Sequence, residues 1–220
     1  MITYVYDKGH YIIMAESLAK QPEGKRNLYV NLTNRCTCSC TFCLRSLKKE
    51  AEDMELWLKE EPTVADVEKE LDAQPWEYIG EVVFCGFGEP TMRLDDVVTL
   101  LKYIKKANHP DVKTRINTNG LSDLEYGRDT SADFKGGILD TVSISLNASN
   151  AQRYLDLTRS KFGIGSYEAL LTFAQHCQKY VPNVVLTVVD HVESDEEIAK
   201  CRKICEDRGL TLRVRAYEAN

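Results

Sequence analysis

From residue 28 to the end of the chain, the pattern of hydrophobic and polar positions switches repeatedly between two periods. Short runs of β-formers at 28–33, 81–84, 113–117, 141–146, 184–189 and 210–216 carry the alternating or fully apolar pattern of strands. Between them, 63–71, 94–107, 166–180 and 195–207 place apolar residues three and four apart, as a helix with one buried face requires. Pro62, Asp66 and Glu68 mark one helix start, and Asn108-His109-Pro110 and Gly209 mark two helix ends. The segment 47–58 is charged but keeps helical apolar spacing. Ahead of these, residues 3–6 and 11–14 flank Asp7-Lys8-Gly9-His10 and predict a hairpin.

Six strands with helical connections predict an α/β fold, a parallel sheet with helices outside. Six units fit a partial (β/α)6 TIM-like barrel with an N-terminal β-hairpin, although an open doubly wound sheet has the same local pattern. No internal repeat or linker interrupts the chain. The expected organisation is a hairpin and lead-in (1–26) before one compact domain (27–220). Residues 121–137 are polar, contain glycine and run long for a loop, which makes them a candidate for a mobile or site-covering segment.

Composition narrows the class. The 220 residues are 43% hydrophobic and 28% charged, an ordinary balance for a soluble globular protein. The net charge is −6 and no Lys/Arg run stands out, which argues against polymeric nucleic acid as a partner and leaves room for a small phosphorylated molecule. No apolar run approaches the roughly 20 residues of a membrane span, and the first residues lack the features of a signal peptide. The expected compartment is the cytoplasm, where eight cysteines should be thiols, metal ligands or core fillers.

Four of those cysteines fall in Cys36-Thr37-Cys38-Ser39-Cys40-Thr41-Phe42-Cys43, and Cys36, Cys40 and Cys43 fit C-x3-C-x2-C. Three thiolates are one short of the four that a [4Fe–4S] cluster usually takes, so one iron stays open for a bound molecule. A structural zinc site would want four ligands in two pairs, and Cys201 and Cys205 sit at helical spacing instead. Core filling is the other reading, set against four cysteines in one polar loop. Cys38 is the extra one and is not assigned as a ligand.

Three further motifs fall at the C-terminal ends of predicted strands: Gly86-Phe87-Gly88-Glu89-Pro90, Asn117-Thr118-Asn119-Gly120 and Ser143-Ile144-Ser145-Leu146-Asn147. That edge carries the active site in barrels and open α/β sheets. Gly86 and Gly88 permit close backbone approach or positive φ, and Glu89 offers a carboxylate to a cation.

Together these motifs resemble the radical SAM superfamily, over residues 27 to 216. Phe42 before the last cysteine matches its signature. Residues 86–90 resemble its Gly-Gly-Glu-Pro motif, with Phe87 as a departure, and Thr118-Asn119-Gly120 and 143–147 resemble its later strand ends. The resemblance implies a [4Fe–4S] cluster on Cys36, Cys40 and Cys43, and S-adenosylmethionine held by Phe42, Gly86, Gly88, Glu89, Asn119, Ser143, Ser145 and Asn147. It also implies an electron donor such as flavodoxin or ferredoxin, and a 5′-deoxyadenosyl radical as the product of reduction.

A closer similarity is to the compact TatD-linked radical SAM proteins. It rests on residues 29–45 with their doubled Cys36-x-Cys38-x-Cys40, on 84–91 and on 186–190. That family includes queuine lyases, which implies a small-molecule nucleotide substrate: hydrogen abstraction from the ribose of queuosine 5′-phosphate, then loss of the base. Arg45, Arg115 and Arg159 are then the candidates for the phosphate. Asp190 or Glu218 is the candidate for the cation of the queuine side chain, and His191 for a proton donor. Three alternatives stay open. They are a 7-carboxy-7-deazaguanine synthase-like enzyme with Thr41 as a magnesium ligand, an activase-like enzyme, and an iron–sulfur module that senses metal or redox state without turnover.

Overall fold

The computed structural model describes residues 1–47, 56–106, 109 and 111–216. The chain opens with the hairpin β1 (Thr3–Asp7) and β2 (His10–Ile12). Its two-residue turn, Lys8-Gly9, has φ of 47° and 92°, the left-handed pair that matches the twist of adjoining strands. A short helix, α1 (Met14–Lys20), leads to β3 (Arg26–Val30). After α2 (Leu44–Leu47) and α3 (Val64–Asp72), strand and helix alternate: β4 (Ile79–Phe84), α4 (Leu94–Lys106), β5 (Lys113–Thr118), α5 (Ser122–Tyr126), β6 (Thr141–Ser145), α6 (Ala151–Thr158), α7 (Ser166–Cys177), β7 (Asn183–Val189), α8 (Asp195–Asp207) and β8 (Thr211–Arg215).

The strands form one sheet in the order β2-β1-β3-β4-β5-β6-β7-β8. Strands β3 to β8 are parallel and in chain order, as in a barrel cut open, and the hairpin extends the sheet antiparallel through β1 against β3. The sheet does not close: β2 and β8 remain its edges. This is the expected α/β partial barrel.

Because successive strand residues point to opposite faces, the sequence sorts itself into two surfaces. Leu28, Val30, Val82, Phe84, Ile116, Val142, Ile144, Leu186 and Val188 pack on one side with α4 and α7 in a single apolar core. Cys177, Cys201 and Cys205 belong to this core, so they are structural thiols. The other residues of the same strands face the concave side, and there the polar and aromatic chemistry collects.

The structure departs from the sequence expectations in four places. The expected helix over 47–58 falls largely on residues outside those described, and Leu56–Leu58 are not helical. The helix expected to 180 ends at Cys177. Helices α1 and α6 were not anticipated. Residues 121–137 are not an irregular loop and none of them lines the cleft: they hold α5 and a 3-10 turn at Ser131–Phe134. Phe134, Thr130 and Ser131 are buried, and Asp123 accepts from the Thr130 backbone N–H at 2.8 Å and from its hydroxyl at 2.7 Å. A local side-chain network thus replaces the regular periodicity that the segment lacks. Among the described residues no helix is long and apolar enough to cross a membrane.

Candidate active site

A cleft of about 330 Å³ opens at the C-terminal ends of the parallel strands. It is lined by all four loop cysteines, Phe42, the 85–89 turn, Asn117, Asn119, Ser145 and Asn147. The cysteine loop follows β3 and is pinned by backbone bonds to the end of α6: Ser39 N–H donates to Thr158 O and Thr41 N–H to Leu157 O, each at 2.9 Å. Lys161 N–H donates back to Thr37 O at 3.0 Å. Helix α6 is therefore the platform of the cysteine loop. It is eight residues long, capped by the Asn150 side chain and closed by Arg159 in the left-handed region (φ 47°) rather than by glycine.

The glycines of the 86–90 turn are required by close approach, since neither is at positive φ. A Cβ on Gly88 would lie 2.2 Å from Thr33 O and 2.7 Å from Arg35 O, and one on Gly86 would lie 2.1 Å from Asn31 Oδ1. The turn thus presses against the segment that leads into Cys36, and Glu89 N–H donates to Arg35 O at 2.8 Å.

Glu89 is buried and tied into its surroundings. Its Oε1 accepts from Thr91 N–H (3.0 Å), Thr91 Oγ1 (2.7 Å) and Thr118 Oγ1 (2.7 Å), and its Oε2 from Asn119 N–H (2.7 Å). Burial pushes this carboxyl up while the four donors pull it down. Its main structural work is to join the ends of β4 and β5, and only Oε2 has capacity left for a cation. Glu89→Gln should lower stability by about 2 kcal/mol in chemical denaturation, because its amide N–H would face the Asn119 N–H. An unchanged denaturation midpoint would contradict this arrangement.

Asn119 in turn reaches the cysteine loop. Its Nδ2 donates to Thr37 Oγ1 at 2.9 Å and approaches Cys36 Sγ at 3.9 Å and Cys38 Sγ at 3.8 Å. Ser145 and Asn147 face the cleft, but Ser143 lies deeper on the concave face, where its Oγ accepts from Arg213 Nη2 at 3.0 Å. Ser143 is thus not brought to the cofactor end of the cleft.

The residues present fit a cluster and a polar, hydroxyl-bearing cofactor. The four loop cysteines are unbridged, and Cys36, Cys40 and Cys43 are partly exposed, whereas Cys38 packs into the core. The hydrogen bond with Cys38, and then burial, push the Cys36 thiol up. For Cys38 the bond with Cys36 pulls down, but Cys40 and burial outweigh it, and its pKa is pushed up to about 12. A cysteine ligates iron as its thiolate, so loading such a site releases protons. Beside them Asn117 Oδ1, Asn147 Oδ1 and the Tyr154 hydroxyl are buried without a hydrogen-bond partner among the described residues. All three residues line the cleft. Unpaired, each costs about 1–3 kcal/mol, which a ligand supplying hydroxyl or amine groups would relieve.

The substrate candidates divide. Arg45 lines the cleft, but its Nη1 donates to Asn34 O at 2.9 Å. Arg115 lies on the concave face in an ion pair with Glu81 (2.9 Å), away from the cleft lining. Arg159 is exposed at the end of α6, because its backbone is used to close that helix. Asp190 is also outside the cleft, where its half-exposed carboxylate lies 3.6 Å from His191 Nε2. Thr41 is exposed, and Glu218 lies outside the described residues.

Sequence reasoning missed one whole wall. Tyr4, Tyr6, Tyr11 and Tyr29 line the cleft from the hairpin side, with Tyr4 and Tyr29 stacked at 5.0 Å. Tyrosine at every second position (4 and 6) was the available signal. Arg215 closes the opposite side from the last strand.

Comparison with known proteins agrees with this geometry. The family described as the radical SAM superfamily matches residues 30–204. A GTP 3′,8-cyclase from Corynebacterium glutamicum (strain R) is 32% identical over 197 residues, 86% of this chain and 48% of the relative. A dual-specificity RNA methyltransferase RlmN 2 from Myxococcus xanthus (strain DK1622) is 27% identical over 153 residues, 66% of this chain and 38% of the relative. The chain thus spans about half, or less, of these curated relatives. Among solved structures, a radical SAM methyltransferase from Sphaerobacter thermophilus superposes with a TM-score of 0.59 at 15% identity, covering 87% of this chain and 66% of that one. The chain belongs to the radical SAM superfamily, whose members bind a [4Fe–4S] cluster and S-adenosylmethionine.

Proposed function

We propose that this enzyme is a lyase that releases queuine from queuosine 5′-phosphate in the cytoplasm, drawing its electron from a small donor such as flavodoxin or ferredoxin. The observation that carries the reading is the continuity of one cleft: it touches the cysteines, the polar strand ends and the tyrosine wall. When bound, the cluster and S-adenosylmethionine supply a 5′-deoxyadenosyl radical, which can take hydrogen from a ribose.

The chain's own residues bind and orient. Cys36, Cys40 and Cys43 hold the cluster, leaving one iron for the cofactor. Phe42, Gly86, Gly88 and Glu89 line the space beside it, and Asn119 fixes the cysteine loop. Asn147 Oδ1 and Asn117 Oδ1 accept hydroxyl donors of the cofactor, with Ser145 next to them. The tyrosines offer π-faces to a flat, cationic base, by stacking and by cation–π attraction.

A second reading is action on GTP, favoured by the similarity to a GTP 3′,8-cyclase. One assay separates the two. Anaerobically reconstituted, reduced enzyme with S-adenosylmethionine is given queuosine 5′-phosphate or GTP, and products are followed by mass spectrometry. Free queuine with equimolar 5′-deoxyadenosine is expected from the first. Formation of 5′-deoxyadenosine without base release rules out the lyase, and a GTP product supports the second reading.

A further inference from the structure

The concave face carries a charge imbalance that the cofactor site does not use. The chain as a whole has a net charge of −6, yet Arg115, Arg213 and Arg215 share this face, and among the described strand residues there Glu81 is the one carboxylate, while Glu89 at the rim is taken up by four donors. Glu81 is paired with Arg115, whose Nε is buried without a partner. Arg213 donates to the neutral Ser143 hydroxyl. Neither Arg213 nor Arg215 has an ion pair among the described residues. Arg213 and Arg215 are exposed residues of the edge strand, and partial burial, then Arg115 and Arg215, push the Arg213 guanidinium down. Keeping three guanidiniums together costs Coulomb energy that a bound anion would reverse.

Position adds to the argument. Arg213 and Arg215 are two apart on β8, so both point to the concave face, about 7 Å apart along the strand. The sheet curves enough that Tyr29 of β3 and Arg215 of β8 line the same cleft. Tyr4, Tyr6, Tyr11, Tyr29 and Arg215 line the cleft, and they, like Arg213 next along the strand, lie outside residues 30–204, the span that the superfamily description matches.

We infer that Arg213 and Arg215, above the Arg115–Glu81 pair, receive the phosphate of a nucleotide whose base lies on the tyrosine wall. The inference rests on the proposed reading only in taking a nucleotide as substrate. It moves the phosphate from Arg45, which is engaged with the cysteine loop, to the last strand. Two guanidiniums on one side bind phosphate oxygens in paired hydrogen bonds, and the ribose is left between the two walls, below the cofactor groups.

The test is affinity, measured by calorimetry on the reconstituted holoenzyme with S-adenosylmethionine bound. The probes are queuosine 5′-phosphate, queuosine, GTP and guanosine. At least one phosphorylated probe should bind roughly 30-fold tighter than its nucleoside, and Arg213→Ala/Arg215→Ala should reduce that preference to below about threefold. Arg213→Lys/Arg215→Lys should retain part of it, and S-adenosylmethionine affinity should stay within about twofold in both. If the double alanine variant also loses S-adenosylmethionine, Arg215→Gln alone decides by the same criterion. No preference for phosphate in the parent enzyme, or a preference that survives these variants, overturns the subsite. An arginine-dependent preference for GTP without queuine release would keep the subsite and remove the lyase.

Discussion

Cys36→Ala, Cys40→Ala and Cys43→Ala should each reduce bound iron from about four atoms per chain to near zero and 5′-deoxyadenosine formation to background. Cys38→Ala should keep both. All four sulfurs are within reach of the cleft, so proximity alone does not divide them. Environment and spacing do. Cys38 is 6% exposed and packs into the apolar core, with its Sγ facing the Thr37 hydroxyl at 4.0 Å and the Asn119 amide at 3.8 Å. Its loss should cost about 1 kcal/mol of stability through lost burial, visible as a small shift in thermal unfolding. The other three are partly exposed and sit on a loop whose backbone is held by α6 and Lys161. That loop keeps its shape when a side chain is shortened, so loss of iron in those variants reports a lost ligand rather than a lost fold. Iron retained in any of the three, or lost in Cys38→Ala, would reassign the ligand set.

The parts of this protein that were legible in the sequence are those encoded locally. Each parallel strand is a short apolar run between helical segments, and the cysteine spacing needs no knowledge of the fold. The strand-end motifs were equally visible, because a glycine pair or a Thr-Asn-Gly stands out against its neighbours. What escaped was set by distant contacts. Helix α6 has only Tyr154, Leu157 and Thr158 buried and ends on an arginine, so neither its periodicity nor its stop signal was strong. Its value comes from Ser39 and Thr41, more than a hundred positions away in the chain, which no pattern near residue 155 announces. The same holds for Arg115. A lone arginine in a strand reads as a candidate phosphate ligand, and only the parallel pairing of β4 with β5 shows that Glu81 stands beside it. The tyrosines read as ordinary β-formers until β1 was found to extend the sheet past β3, which brings the hairpin to the cleft.

Gly88→Ala should be strongly damaging. The added Cβ would meet two backbone oxygens, Thr33 O at 2.2 Å and Arg35 O at 2.7 Å, and neither can rotate away. Relief requires shifting residues 33–35, the segment that delivers Cys36 and whose Arg35 O accepts from Glu89 N–H. Overpacking of this kind costs about 3 kcal/mol, or roughly a 10 °C fall in the unfolding midpoint for a chain of this size. Iron and S-adenosylmethionine binding should fall with it, because the displaced segment carries the cluster. Gly86→Ala makes an instructive contrast. Its Cβ would meet the side chain of Asn31, with Oδ1 at 2.1 Å and Cγ at 2.5 Å, and only Cβ remains, at 3.1 Å, once that side chain is shortened. Asn31→Ala alone removes the bond from Nδ2 to Leu56 O (2.6 Å) and should destabilise. Added to Gly86→Ala, however, it should recover about 1–2 kcal/mol relative to the sum of the single changes. Denaturant unfolding of the two single variants and the double variant measures this coupling. An additive cycle would mean that Gly86 does not approach Asn31, and a Gly88→Ala protein as stable as its parent would mean that the turn does not press on the cysteine segment at all.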